Sequence, residues 1–230
     1  MLTTLLRQSA AGLRLLLVMT VLCGLVYPLA VYGISRLPGL QDRAEGSLVV
    51  LDGSVVGSTL IGVDSVAAAP QDPYFHTRPS ATAKDVLGPG DPSTSGASNL
   101  AGDSPKLLGQ VTKRRQLIAA REGVQPAGVP PDAVTASASG VDPHISPAYA
   151  QLQVPRVARA TGLPQNTVQA LVVEYTTGRA LGFLGEPAVN VLQLNVAVHR
   201  ARAGGSARRL GEGGTLLPVA RYFKALHRNP

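Results

Sequence analysis

A chain of 230 residues with a single cysteine, Cys23, has room for one well-buried domain plus appendages, and it excludes a disulfide framework and a cysteine-ligated zinc centre. The net charge of +7 resides at the two ends, because residues 36–199 hold 12 basic and 13 acidic side chains. In that neutral body the basic run Lys113-Arg114-Arg115 lacks interleaved aromatics, which argues against nucleic acid as a partner.

From Leu15 to Ser35 no residue is charged, and these 21 residues match the roughly 20 that a helix needs to cross a bilayer. The run is longer than the apolar region of a cleaved signal peptide and ends without a small-x-small site, so a retained anchor is expected. Arg7 and Arg14 precede it, whereas Arg36 and Arg43 behind it are offset by Asp42 and Glu45. Positive charge stays inside, which predicts a cytoplasmic N-terminus and an extracytoplasmic remainder on a single-pass chain in the cytoplasmic membrane. Within the span Thr20 and Gly24 form a small-xxx-small pair suited to close helix packing, and Pro28 is placed to bend the upper half.

Leu48 to Gly62 alternates β-branched residues about Asp52-Gly53, the signature of a hairpin with a type I′ turn. Residues 63–104 are rich in Pro, Gly, Ser and Asp and too long for an ordinary connector, so they are expected to be functional or disordered, with Tyr74 and Phe75 packing against something. Ser104-Pro105 opens a helix to about Glu122 ended by Gly123. Ser146-Pro147 opens another to Ala160, kinked by Pro155, and Pro164 begins a third ending at Gly178. The alternation at Leu192, Leu194, Val196 and Val198 favours a strand, with an Asn190-capped helix as the alternative. The reading is α+β: an N-terminal segment and transmembrane helix over 1–36, one extracytoplasmic domain over 37–199 with a small sheet and about three helices, and a flexible basic extension over 200–230 carrying a short amphipathic helix.

No G-x-S-x-G elbow, P-loop, H-E-x-x-H or EF-hand loop occurs, and His76, His144, His199 and His227 lack metal-ligand spacing. The polar stretch from Asp142 to Ala158 (DPHISPAYAQLQVPRVA) has two readings. In the structural one Asp142 accepts backbone N–H groups in a turn, His144 bridges the loop and Ser146 caps a helix. In the other, a membrane-anchored hydrolase uses His144 with a serine.

Several motifs occur together and in order: Tyr27-Pro28; GSLV and DGSVVGSTLIG; YFHTRPS from Tyr74; SGASNL from Ser95; DPHISPAYAQLQVPRVA; and GFLGEPAVNVLQLN from Gly182. Over residues 13–198 the chain resembles the C subunit (KdpC) of the Kdp-type potassium-transporting ATPases. The resemblance implies an accessory subunit, without a catalytic centre of its own, of an ATP-driven high-affinity potassium importer. Its partners would be a channel-like potassium-binding subunit, a P-type ATPase subunit and the lipid bilayer. It would be needed for assembly and act as a catalytic chaperone raising the ATPase subunit's affinity for ATP. ATP and potassium would be handled by the complex, with no cofactor or metal held here with certainty. Carried over by position, the partner-contact or fold-signature residues are Tyr74, Phe75, Arg78, Ser80, Ser95, Gly96, Ser98, Asn99, Asp142, His144, Gln153, Arg156, Gly185, Pro187 and Asn190. Arg78 and Arg156 are the strongest candidates for ion pairs.

Overall fold

A computed structural model describes residues 1–65 and 72–210. It comprises two compact units, Met1–Leu48 and Val49–Pro230.

In the first unit α1 (Leu2–Val21) passes through a π-helical turn at Leu22–Val26 into α2 (Tyr27–Ser35). Proline causes the widening. Pro28 has no N–H, and its ring would press on the carbonyl one turn back; in the wider turn Tyr27 N–H donates to the Leu22 carbonyl instead. The 34 residues Leu2–Ser35 are long and apolar enough to cross a membrane, and none of their side chains is buried within the chain. Behind the span the Arg36 guanidinium lies 4.7 Å from the Tyr32 ring centroid and 2.8 Å from Glu45 Oε1, ahead of and across the short α3 (Gln41–Ala44).

The second unit starts with the expected hairpin, β1 (Leu48–Leu51) and β2 (Ser54–Ser58). Asp52 and Gly53 take φ of 51° and 76°, the doubly positive pair that a type I′ turn requires. The described part of 63–104 has no regular element. α4 (Pro105–Glu122) follows, capped by Ser104 Oγ accepting from Leu107 N and ended by Gly123 at φ 71°. Its inner face carries Arg114, Ile118, Ala119 and Glu122. The middle residue of the basic run, Arg114, is thus buried, donating to the Val86 and Val134 carbonyls.

A short α5 (Pro131–Val134) and strand β3 (His144–Ile145) lead to α6 (Pro147–Thr161). Ser146 Oγ accepts from Tyr149 N and donates to Asp132 Oδ1 at 2.8 Å, which ties the start of α6 to α5. α7 (Gln165–Glu174) is shorter than its sequence signal, which extended to Gly178, because Thr176 and Thr177 leave it to form β4 against β5 (Ala188–Asn190). β3 pairs with the other edge of β5, giving an antiparallel order β3-β5-β4 in which Val189 lies opposite both Ile145 and Thr176.

The last apolar stretch corrects the strand preference drawn from its alternation. β5 ends at Asn190, whose Oδ1 accepts from Gln193 N, and α8 (Val191–Leu210) begins there. Val191, Leu194 and Val198 recur at three- and four-residue steps and are all buried, so helical packing onto the core overrides the period-two pattern of β-branched residues. The amphipathic helix expected further on lies outside the described residues.

The core joins α4, α6, α7 and α8 to the sheet through Ile118, Tyr149, Val157, Val172, Val189 and Leu194, with Phe75 inserted into it from the irregular segment. Close backbone approaches fix where loops cross. Gly62 N donates to the Val141 carbonyl, and a Cβ at Gly62 would overlap the Asp142 carbonyl oxygen, which is rigid backbone. Gly62→Ala is expected to cost about 1–3 kcal/mol, read as a lowered midpoint in thermal unfolding of the full chain in detergent.

Candidate functional site

Residues 72–77 (DPYFHT) run as a strap across the second unit without joining a sheet, so side chains must satisfy their backbone groups. Two amides do so reciprocally. Gln153 of α6 accepts from His76 N at 2.8 Å and donates to the His76 carbonyl at 3.3 Å. Asn195 of α8 accepts from Phe75 N at 2.7 Å and donates to the Phe75 carbonyl at 3.0 Å. Each amide acts as one rung of a strand partner.

Arg156, one turn on from Gln153, is 2% exposed and anchors what remains. Its Nε donates to both Glu122 oxygens at 3.1 and 2.9 Å, its Nη1 to the carbonyls of Asp72 and Tyr74 at 2.7 and 2.9 Å, and its Nη2 to Gln153 Oε1 at 3.0 Å. Glu122 also receives Arg121 Nε at 2.7 Å, and Arg121 Nη2 donates to the Tyr149 hydroxyl at 2.9 Å. Complete burial pushes the Tyr149 phenol up to about 12 against the opposing pull of Arg121, so the hydroxyl is neutral.

On the strap itself His76 is held between two carboxylates. Nδ1 lies 2.8 Å from Asp64 Oδ1, and Nε2 makes a 2.6 Å ion-pair contact with Asp72 Oδ2. Burial opposes the charged ring, but Asp64 and then Asp72 outweigh it and raise the His76 pKa above its ordinary value. Burial likewise opposes the Asp72 carboxylate, and the hydrogen bond and charge of His76, with Tyr74 N–H and Arg156, overcome it and hold that pKa below the usual range. The centre is therefore a buried salt-bridged network in which polar groups order a chain segment.

The sequence-derived residues fall into separate places. Tyr74, Phe75, Gln153 and Arg156 meet in this network. Arg78 lies beyond it, 3.4 Å from Asp142 Oδ2 and donating to Thr135 Oγ1 at 3.3 Å. Ser80, Ser95 and Gly96 gather around the 137–140 loop: Ser95 Oγ and Gly96 N both donate to the Ser139 carbonyl, and Gly140 leaves no room for a Cβ beside the Gly96 carbonyl and Ser80 Oγ. Ser98 and Asn99 are exposed, Asn99 at φ 50°. Asn190 caps α8 and donates to the Thr59 carbonyl at 2.8 Å. Gly185, at φ 78°, and Pro187 shape the connection between β4 and β5. Thr20, Gly24 and Pro28 belong to the membrane-length helix, Gly24 inside its π turn.

Asp142 Oδ1 accepts from His144 N at 2.9 Å and lies 3.6 Å from His144 Nδ1, while His144 pairs with Asn190 in the sheet. Among the described residues no serine hydroxyl is hydrogen-bonded to His144, and that of Ser146 is committed to Asp132 and Tyr149 N. The described residues likewise contain no group of three or more His, Cys, Asp or Glu side chains placed to hold a metal ion. A cavity lined by Val56, Asp64, Tyr74, Leu192 and Asn195 adjoins the strap. Its volume of about 60 Å³ is well below the roughly 300–1,000 Å³ of small-molecule sites.

Asp64, Asp72, His76, Arg121, Glu122, Tyr149 and Asn195 escaped sequence reasoning. One signal was present: Arg156 shares a helix face with apolar Tyr149 and Val157, and an arginine there demands a buried acid. Arg156→Lys cannot replace the planar fork and is expected to lose about 3–5 kcal/mol of stability. Arg78→Ala, which breaks a half-exposed pair, should lose about 1 kcal/mol or less. Thermal unfolding of the two full-length variants side by side checks the ranking.

Residues 9–200 match the family model described as "KdpC: K+-transporting ATPase, c chain". A protein of Kineococcus radiotolerans named potassium-transporting ATPase KdpC subunit is 54% identical over 200 residues, covering 87% of this chain and 97% of the relative. Proteins with the same name from Bradyrhizobium diazoefficiens and Mycobacterium bovis are 45% and 46% identical, over 86% and 84% of this chain and 99% and 98% of theirs. With the match running from inside the membrane-length helix to α8, across the strap and its anchors, the chain belongs to the KdpC family, the c chain of the K+-transporting ATPases.

Proposed function

We propose that this chain works as the accessory subunit of an ATP-driven potassium importer, needed to assemble it and without catalysis of its own. The observation that carries the reading is the near-complete overlap with relatives named potassium-transporting ATPase KdpC subunit. In this reading the N-terminus is cytoplasmic and the domain 37–199 lies outside, a topology supported by Arg7 and Arg14 ahead of the span, with a basic extension over 200–230. Its partners are then a channel-like potassium-binding subunit and a P-type ATPase subunit.

In this reading the chain raises the ATPase subunit's affinity for ATP indirectly. ATP is cytoplasmic and the folded unit is not, so the effect passes through states of the complex: the chain binds the ATP-competent state better than the other and shifts the equilibrium by that difference.

The test is purification of the full-length chain from membranes of potassium-starved cells in mild detergent. Stoichiometric recovery of a channel-like subunit and a P-type ATPase is expected, as is a higher KM for ATP in the ATPase subunit assayed without this chain than in the recovered complex. Recovery of the chain alone, or an ATP dependence unchanged by its removal, would overturn the reading.

A further inference from the structure

The network beneath the strap balances its charge only when one particular proton is bound. Asp64 after β2, Asp72 in the strap and Glu122 at the end of α4 supply three carboxylates. Arg121 of α4 and Arg156 of α6 supply two guanidinium groups, which remain charged at any accessible pH. Gln153 and Tyr149 of α6 are neutral, burial and the charge of Asp72 raise the Tyr74 phenol on the strap, and the further cation there, Arg202 of α8, is exposed and acts on Tyr74. The third positive charge is the imidazolium of His76.

Geometry says the same independently. A neutral imidazole has one N–H and one bare lone pair, so it can serve only one of two carboxylates. Nδ1 is hydrogen-bonded to Asp64 at 2.8 Å, and Nε2 lies 2.6 Å from Asp72 Oδ2 as an ion-pair contact off the hydrogen-bond direction, so a ring with one N–H leaves a bare nitrogen against carboxylate oxygen on one side or the other. His76 is 5% exposed, Asp64 9% and Asp72 2%, so water is poorly placed to screen that repulsion. Losing the proton leaves the buried set with one uncompensated negative charge and breaks a contact on one side of the ring or the other. The residue that titrates is also a residue of the strap, held through its backbone by Gln153.

We propose that His76 is an alkaline switch built into the folded unit: its protonated ring closes a charge-balanced clasp between Asp64 and Asp72 on the strap 72–77, and loss of that proton releases the strap from α6. The sign follows from linkage. The folded-state pKa of His76 lies above the ordinary 6.5, so its contribution is whole below 6.5 and is lost as pH rises through the folded value. Arg121 works against it, by repelling the ring. The proposal stands on the chain alone and does not depend on the transport reading.

The full-length chain in detergent micelles, labelled with ¹³C at histidine Cε1, is titrated by NMR from pH 5.5 to 9.5, while hydrogen exchange with mass spectrometry follows peptides covering the strap, α4 and α6. His76→Gln identifies the ring resonance among the four histidines. Asp72→Asn, which keeps the side-chain shape and removes one carboxylate, serves the same purpose if the glutamine variant fails to fold. The expected result is a ring that titrates above 6.5 in the native chain and closer to it in Asp72→Asn. Strap protection should fall by about tenfold per pH unit between 6.5 and the ring's own midpoint, then level off, while α4 and α6 stay protected. A ring titrating at or below 6.5 would overturn the proposal. So would strap protection independent of pH, or loss of protection shared equally by the helices.

Discussion

A guanidinium sealed away from water must find acceptors for its N–H groups, and the second unit is arranged around that demand at Arg156. Its planar fork makes five hydrogen bonds in three directions: Nε–H shared between both Glu122 oxygens on α4, Nη1 to two carbonyls of the strap and Nη2 to Gln153 on its own helix. The distance between α4 and α6, the path of residues 72–77 and the rotamer of Gln153 follow from one side chain. Because the strap has no neighbouring strand, hydrophobic burial of Phe75 could hold it loosely in many registers. The two amide pairs, at His76 and Phe75, select one.

Such a design is costly. Buried ion pairs gain little net stability over well-packed apolar groups, since desolvation offsets much of the attraction. What they impose is a single geometry, for breaking any one partner strands a charge. A strap held by charge also responds to charge. The same segment held by leucines would be indifferent to pH and to the field of a neighbouring subunit. In this fold the apolar core sets the scaffold of four helices and a small sheet, and the polar network decides what is displayed upon it.

The hairpin, the caps at Ser104 and Ser146 and the left-handed end at Gly123 were legible in the sequence because each is a local signal whose cause lies within a few residues. Val191 to Val198 misled because its alternation is real but its neighbours are not local: packing against β5 and α7 decides which faces are buried. The site was half legible. Gln153 and Arg156 belong to a conspicuous polar stretch, whereas Glu122 lies 34 residues upstream and Asn195 lies 120 residues from the backbone it holds. His76 was visible only as one of four scattered histidines, since the two acids that give it meaning lie 12 residues away and one turn away along a chain that is not helical.

The long irregular segment then takes on a different meaning. Its richness in proline, glycine and serine reads as disorder when each residue is weighed alone. Yet those residue types also suit chain that must cross other chain closely. Gly62 lies against Asp142, Gly140 against Gly96, and the Ser137 amide donates to the Pro79 carbonyl, so loops distant in sequence touch backbone to backbone where side chains would hold them apart. Two of the motifs read in the sequence are thus crossings and staples: the start of YFHTRPS is held by side chains of α6 and α8, and SGASNL leans on the loop at 137–140. The loop-built surface of this unit is thereby fixed from beneath by six charged groups, five of them buried and the sixth, Arg121, partly so.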